Sequence, residues 1–229
     1  MATRTHSTED YLEALYFLAF PIGEYGPIVS RAPAPAARVA EMLGVSAPTA
    51  SEMLKRLEAD GLVSRTTGRP VLTETGRSEA ERVVRNHRII ERFLTDFMGY
   101  TAAESHEHAD AMGDAFDDEM VARLAARLGD PDRCPHGWPI DTAFEQAENR
   151  DLRPLNVVDA PNRVTIVRLA EHNGDLLRWF YDQGLVPGTA LEITAAQPAA
   201  GQRTIRIAGT AREISDTAAA GLFVRVEAT

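Results

Sequence analysis

The chain of 229 residues has one cysteine, Cys134, so an internal disulfide is excluded. It has no long apolar run. Residues 12–20 are apolar but broken by Glu13 and too short to cross a bilayer, and residues 1–10 are polar with no secretory pattern. These absences predict a soluble cytoplasmic protein with no membrane partner. Basic residues are scarce: 24 Lys and Arg stand against 34 Asp and Glu, a net charge of −10. That argues against non-specific nucleic-acid binding, which depends on basic surface. Between residues 87 and 118 there is no glycine-rich loop and no nucleophile at useful spacing, so nothing points to a small-molecule substrate or to an enzyme.

What is present is acid gathered in one place. Glu104, Glu107, Asp110, Asp114, Asp117, Asp118 and Glu119 crowd one stretch, where bound divalent ions would neutralise part of their charge. Residues 85–116 are read as two consecutive helices. The first carries His87 and Glu91, four apart; the second carries His106, Asp110 and Asp114 at the same spacing. Side chains at i and i+4 share a helical face. Two such faces packed together gather two imidazoles and three carboxylates, enough for one or two divalent metal ions. Each piece alone has a plainer meaning: His87 with Glu91 as a surface ion pair, Asp110 and Asp114 as a solvated acidic face. Asp117 is expected to cap a helix over residues 118–128, and His108 to face solvent.

A helix is predicted from Thr8 to about Phe20, buried through Leu12, Leu15, Tyr16 and Ala19. Asp10 and Glu13 share another of its faces, as candidate ligands or as first-turn acids that suit the helix dipole. Residues 21–35 are a Gly/Pro-rich loop. A short helix over residues 36–43 ends at Gly44, and a second runs from its Ser46 cap, with Pro48 in the first turn, to about Asp60. This is a helix-turn-helix. Its second helix exposes Ser46, Pro48, Thr49, Ser51, Glu52, Lys55 and Arg56, and its small hydroxyls suit phosphate contacts. A ribbon of residues 62–65 and 70–73, turning through Gly68 and Arg69, makes it a winged helix, with a helical hairpin packed only for stability as the alternative. Residues 1–79 carry eight basic and ten acidic side chains, so tight DNA binding needs a dimer on two half-sites.

A long helix over residues 74–98 has an apolar face, Val83, Val84, Ile90, Phe93, Leu94 and Phe97, wide enough for a dimer interface as well as a core. Thr101 to Glu104 reads as a capping box. Residues 129–159 are poor in pattern and rich in proline, a connection in which Cys134 and His136 form a C-x-H pair with no second pair at useful spacing, hence an inert loop cysteine. From residue 164 short alternating strands at 165–169, 190–195, 204–208 and 222–226, with a helix-like segment at 174–181, predict a small barrel.

Taken in order, Ser7-Thr8-Glu9-Asp10-Tyr11-Leu12, Val45-Ser46-Ala47-Pro48-Thr49-Ala50-Ser51, Leu72-Thr73-Glu74-Thr75-Gly76-Arg77, Asn86-His87-Arg88 with Glu91, and Pro135-His136-Gly137-Trp138-Pro139-Ile140 resemble the diphtheria-toxin-repressor family of metal-dependent transcriptional regulators. Arg168-Leu169-Ala170-Glu171-His172 and Gly184-Leu185-Val186-Pro187-Gly188 resemble that family's SH3-like domain. The resemblance implies a mainly α fold with a small β part. Its parts are a winged helix-turn-helix at residues 1–76, a helical metal-binding and dimerisation domain at 77–145, a linker at 146–160 and an SH3-like (FeoA-like) β-barrel at 161–229. It implies a homodimer that binds a palindromic double-stranded DNA operator when metallated, contacting it through Ser46, Pro48, Thr49, Ser51, Glu52, Lys55 and Arg69.

The resemblance also implies two metal positions. One uses His87, Glu91 and His106, with Glu171 reaching over from the SH3-like domain and His172 or Asn173 nearby. The other uses Asp10, Glu13, Asp110 and Asp114. Iron-type members carry methionine at the position of Asp10 and cysteine at that of Asp110, whereas manganese-type members carry carboxylates. Hard oxygen donors therefore favour Mn(II), with Fe(II) as the alternative. The chain departs from the family pattern at Gly113 and Asp114, where a Glu-His pair is usual, and water or Glu107 is left to complete that position. A metallohydrolase built on the same cluster, and a metal-independent winged-helix repressor, are the competing functions.

Overall fold

In the computed structural model the described residues are 7–19, 35–66, 68–112, 115–171 and 173–227. The predicted loop at 21–35 lies outside them but for Pro35, which opens a helix, and His6, the turn residue Thr67, the Gly113–Asp114 pair and His172 also lie outside. The chain divides into two compact units, Met1–Asn86 and His87–Thr229.

In the first unit, helix α1 (Thr8–Ala19) begins at a reciprocal cap. Asp10 Oδ2 accepts from the Ser7 N–H at 2.8 Å, and the Asp10 N–H donates to Ser7 Oγ at 3.3 Å. Helix α2 (Pro35–Met42) ends at Gly44 with φ of +62°, and Val45 N–H returns to the Ala40 carbonyl at 3.0 Å, the left-handed stop that glycine permits. Helix α3 (Ala47–Ala59) is capped by Ser46, whose side chain accepts from Thr49 N–H. Strands β1 (Val63–Thr66) and β2 (Arg69–Leu72) pair antiparallel, Val63 opposite Leu72, and form the wing. Tyr11, Leu12, Leu15, Tyr16, Val39, Ala50, Leu54, Leu57 and Val63 close one core with Ala80 and Val84 of α4 (Glu74–Asp96). Thr73 caps α4 by accepting from Gly76 N–H at 3.0 Å. Gly76 is required there, since a Cβ would stand 1.8 Å from the Leu62 carbonyl oxygen.

The second unit begins halfway along α4. Helix α5 (Ala102–Met112) starts at the expected capping box, with Thr101 N–H donating to Glu104 Oε2 at 2.9 Å and Glu104 N–H to Thr101 Oγ1 at 3.3 Å. Helix α6 (Asp118–Arg127) is capped by Asp117. The stretch read as patternless connection is ordered instead. It holds the Cys134–Trp138 turn, α7 (Thr142–Glu148) capped by Asp141, strand β3 (Arg153–Pro154) and a 3-10 turn over Leu155–Val157. Prolines hid these elements, because pattern reading takes dense proline as loop whether or not side chains hold it.

Beyond it come β4 (Asn162–Leu169), α8 (Gly174–Asp182), β5 (Ala190–Gln197), β6 (Gln202–Ile207), β7 (Thr210–Ser215), α9 (Asp216–Ala220) and β8 (Leu222–Val226). The strands lie in the order β3-β8-β4-β5-β6-β7, all antiparallel. The predicted barrel is corrected here: β3 and β7 are edges, so the SH3-like sheet is strongly built but not closed. Strand β7 was missed because its side chains are exposed except Ile214, leaving no alternation to read. Val164, Ile166, Leu169, Leu177, Phe180, Ile193, Ile205 and Val224 fill the core of this part, joined by Ala103 of α5.

Candidate functional site

Two clusters of ligand-type side chains sit side by side in the second unit. His87, His106 and Asp110 offer donor atoms that all lie within 4.8 Å of one another, and so do Glu91, Cys134, His136 and Glu171. The helical spacing read from the sequence builds the first. His87 on α4 and His106 on α5 approach at 3.2 Å between Nε2 and Nδ1, and His87 Nδ1 is 3.4 Å from Asp110 Oδ1.

The second cluster is assembled from α4, the proline-rich turn and the residue just past β4. Cys134 N–H donates to the Trp138 carbonyl at 2.8 Å and Gly137 N–H to the Cys134 carbonyl at 3.0 Å, which closes the turn. Gly137 has φ of +90° and presses so close to Val167 that a Cβ would be 2.0 Å from its carbonyl oxygen. The turn is pinned to β4: Leu169 N–H donates to the His136 carbonyl at 3.0 Å, and Trp138 Nε1–H donates to the Leu169 carbonyl at 2.8 Å. Tyr181 Oη of α8 donates to the Pro135 carbonyl at 2.8 Å.

His136 is fully buried, and its Nε2–H reaches the Ala102 carbonyl at 2.7 Å. That bond turns Nδ1 toward Glu91 (3.4 Å), Glu171 (3.3 Å) and Cys134 Sγ (3.8 Å). A backbone acceptor that fixes one ring nitrogen and presents the other is how metal-binding histidines are oriented.

Behind the turn lies a buried charge network. The guanidinium carbons of Arg88 and Arg168 lie over the Trp138 ring, 5.5 Å and 4.9 Å from its centroid. Arg88 donates to Glu145 at 2.6 Å and to the Pro139 carbonyl at 2.7 Å; Arg168 donates to Glu148 at 2.6 Å. Burial opposes the Arg88 charge, but Glu145 and Glu171 hold its pKa above the ordinary value.

The electrostatics follow from burial and proximity. Burial would raise the Glu91 carboxyl, yet the charges of His136 and His87 hold it well below the usual carboxylate range. Burial would lower His136, and the charge of Glu91 outweighs that and holds it well above the ordinary imidazole value. His106 is raised against burial by Asp110 and Glu91. Burial first, then Glu91, pushes the Cys134 thiol up to about 11. Imidazole, carboxylate and thiol donors in this mixture suit divalent first-row ions, and the donor set fits a metal.

Of the residues expected at one site, Glu91 Oε1 lies 3.0 Å from His87 Nε2 and 2.9 Å from His106 Nδ1, and Glu171 faces Cys134 and His136 beside them. The cysteine read from the sequence as inert is, in the fold, one member of a four-residue cluster, and His136, the other half of the C-x-H pair, is another. No periodicity could announce that cluster, because its parts share no element. The sequence signal was the Cys134–His136 pair itself, set aside for want of a second pair at useful spacing, and Gly137 beside it is a glycine forced by close packing. Asp10 and Glu13 lie on α1 in the first unit, where Asp10 serves the helix cap. Glu107 Oε1 lies 3.2 Å from where a Cβ on Gly174 would stand, at the start of α8. His108 is exposed and packs at a tilt against Tyr100, with centroids 4.5 Å apart and planes at 51°.

In the first unit the start of α3 is presented as the sequence predicts. Ser46, Pro48, Thr49, Glu52 and Lys55 are exposed and Ser51 half-buried. Ser46 and Thr49 hydroxyls meet at 2.7 Å. Glu52 faces Arg56 at 3.8 Å, and Arg69 is exposed in the wing.

Comparison with known proteins gives three family matches in chain order. Residues 4–69 match the iron dependent repressor N-terminal DNA binding domain, 73–142 the iron dependent repressor metal binding and dimerisation domain, and 153–226 the FeoA domain. The chain is 34% identical to the diphtheria toxin repressor of Corynebacterium glutamicum over 96% of both chains. It is 33% identical to the iron-dependent repressor IdeR of Mycobacterium tuberculosis over 89% of both. Among solved structures, a manganese-dependent transcriptional repressor in complex with manganese superposes with a TM-score of 0.84 at 31% identity, covering 96% of this chain and all of that one.

Proposed function

This chain belongs to the diphtheria-toxin-repressor family of metal-dependent transcriptional repressors, and on that premise we propose that manganese activates it to bind a palindromic operator as a homodimer. The family is one of DNA-binding repressors and not of enzymes, which removes the metallohydrolase. Among the described residues no helix is long and apolar enough to cross a membrane.

The observation that carries the proposal is the cluster of His87, His106 and Asp110. It offers nitrogen and oxygen and no sulfur, a set that suits Mn(II). The similarity to a repressor solved with manganese supports the same ion. Fe(II) is the second reading, supported by the iron-dependent relatives and by the Cys134 thiol in the neighbouring cluster. Asp10, Glu13 and Asp114 stay in the proposed ligand set on their sequence positions, and the manganese count of an Asp10→Ala, Glu13→Ala variant tests the first two.

A bound divalent ion supplies the positive charge that lets these acids and imidazoles sit together. The residues do the rest. His87 and Glu91 on α4 and His106 and Asp110 on α5 would hold the ion, and so would tie α5 to α4. Helix α4 runs without a break back to Ala80 and Val84 in the core beneath the winged helix, so a change along it reaches α3. Ser46 and Thr49 take phosphate through their exposed hydroxyls at the α3 start. Ser51, Glu52 and Lys55 face base edges, Pro48 shapes the approach, and Arg69 takes the wing's phosphate. The domain's small charge is why two copies on two half-sites are needed.

The test is anisotropy on a duplex enriched from random sequence by the manganese-loaded protein. Chelator-treated protein is expected to gain about 5- to 150-fold in affinity as Mn(II) is added, the usual span of a coupling between sites. Unchanged affinity across the titration overturns the proposal.

A further inference from the structure

We propose that Glu52 selects cytosine: its carboxylate accepts a hydrogen bond from the N4 amino group of that base in the major groove, and so fixes one position of each operator half-site. The inference deepens the DNA-binding reading above and rests on it.

The place of Glu52 on α3 carries the argument. Ala50, Leu54 and Leu57 are the buried side of this helix. At about 100° per residue, Glu52 points roughly 190° away from their centre, along the ridge of the exposed side, with Pro48 and Arg56 about 40° to either side of it. That ridge goes deepest when a recognition helix lies in the major groove. The Glu52 side chain is 75% exposed, and Arg56 Nη2, 3.8 Å from its Oε1, belongs to a side chain 68% exposed. A solvated pair at that distance adds little to a helix, so stability does not account for an acid at this spot.

The chemistry then chooses the base. A carboxylate only accepts hydrogen bonds, and DNA phosphates repel it, so on this ridge it weakens binding unless the DNA offers it a donor. Two groups donate in the major groove, the N4 amino group of cytosine and the N6 amino group of adenine. Adenine sets the N7 lone pair beside its amino group, and the second carboxylate oxygen would be pressed against it. Cytosine has a C–H in that direction. Guanine and thymine turn acceptors toward the groove and repel the acid. A glutamine at this position, with an amide N–H to give to N7, would favour adenine instead. Arg56 offsets the charge of Glu52 against the neighbouring phosphates.

The experiment selects duplexes from random sequence with the full chain, with Mn(II) and with chelator, for the parent, Glu52→Gln and Glu52→Ala. The residue is exposed, so the three proteins are expected to fold alike. The parent is expected to enrich a cytosine at one position of each half-site, Glu52→Gln to put adenine there, and Glu52→Ala to accept any base there. Replacing that cytosine by pyrimidin-2-one, which lacks the amino group, is expected to weaken the parent about 5- to 150-fold by anisotropy and to leave Glu52→Ala unchanged. The same bases enriched by all three proteins, or a parent that holds pyrimidin-2-one as tightly as cytosine, would overturn the contact. The regulator fails separately. A Glu52-dependent cytosine bound equally with Mn(II) and with chelator removes the metal dependence and leaves the contact standing, whereas Mn(II)-dependent binding with no change of base in Glu52→Gln does the reverse.

Discussion

The two ligand clusters are neighbours of opposite construction. His87, His106 and Asp110 sit on two helices, at spacings that put them on facing surfaces before any tertiary contact is made. Cys134, His136 and Glu171 sit on a turn and a strand end, and they meet Glu91 only after the sheet part has folded against α4 and α5. The first cluster is specified by local periodicity and the second by long-range packing. A ligand set of the first kind forms wherever two helices pack, so it suits a responsive position. One of the second kind ties separate parts of the chain together, so metal held there contributes to the stability of the whole unit.

The sharpest way to break that contrast is to remove one donor from each side. His87→Ala is expected to abolish the manganese-dependent gain in operator affinity, a loss of up to about 150-fold measured by anisotropy. Cys134→Ala is expected to keep part of that gain and to lower the melting temperature of the metal-loaded protein more than His87→Ala does. Equal effects of the two substitutions in both measurements would show that the clusters do not divide the work.

Proton competition separates them next. Burial first and then the Glu91 charge push the Cys134 thiol up to about 11, and Glu91, outweighing burial, holds His136 well above the ordinary imidazole value, so both groups favour the protonated form when no metal is bound. An ion at the turn cluster has to displace both protons. Its affinity is expected to rise as pH rises, by up to about a hundredfold per pH unit, a factor of ten for each proton released. Metal-free stability runs the other way. His136 has a raised folded pKa, so its contribution is fully present below about 6.5, the unfolded value, and is lost as pH climbs through the folded value. Chelator competition and melting of the metal-free protein, each at pH 6.5 and 7.5, check both signs. A metal affinity flat with pH would mean that thiol and imidazole are not ligands.

The same division explains what the sequence could tell. The winged helix was legible because its signals are local: Gly44 as a stop, Ser46 as a cap, Pro48 in the first turn and a ribbon around Gly68. Each of these acts within a few residues, and the order of the elements completes the argument. His87 with Glu91, and His106 with Asp110, were legible for the same reason. Cys134 and His136 were not, since their meaning depends on Glu171 and on the Ala102 carbonyl, both far away in sequence. Neither Trp138 beneath two guanidinium groups nor an open sheet with exposed β7 leaves a periodic trace. The family resemblance supplied the domain order and grouped His87, Glu91, His106 and Glu171, but it left out Cys134 and His136, which lie beside them.

Two glycines carry the contrast into stability. Gly137→Ala places a Cβ 2.0 Å from the Val167 carbonyl oxygen at a φ of +90°, so the turn must move. The expected cost is about 3 kcal/mol or more in the second unit, with weakened metal binding at the turn cluster. Gly76→Ala, whose Cβ would meet the Leu62 carbonyl oxygen at 1.8 Å, is expected to cost a similar amount in the first unit without touching a ligand. Denaturant melts with and without metal distinguish them. Added metal should leave the Gly76→Ala deficit unchanged and should widen that of Gly137→Ala relative to the parent, because the parent gains more from the ion.

The smallest effect comes from the most local feature. Ser46 caps α3 by accepting from Thr49 N–H at 3.2 Å and is exposed, with its hydroxyl 2.7 Å from that of Thr49. Ser46→Ala removes a cap worth about 1 kcal/mol. If capping were its whole role, operator affinity would fall no further than that stability loss carries it, and Ser46→Asp, which caps equally well, would restore both. Ser46 is proposed to lie against phosphate as well. Ser46→Asp is therefore expected to recover the melting temperature while weakening DNA binding further, since it sets a carboxylate against a phosphate. Recovery of both would confine Ser46 to the helix and move the first phosphate contact to Thr49.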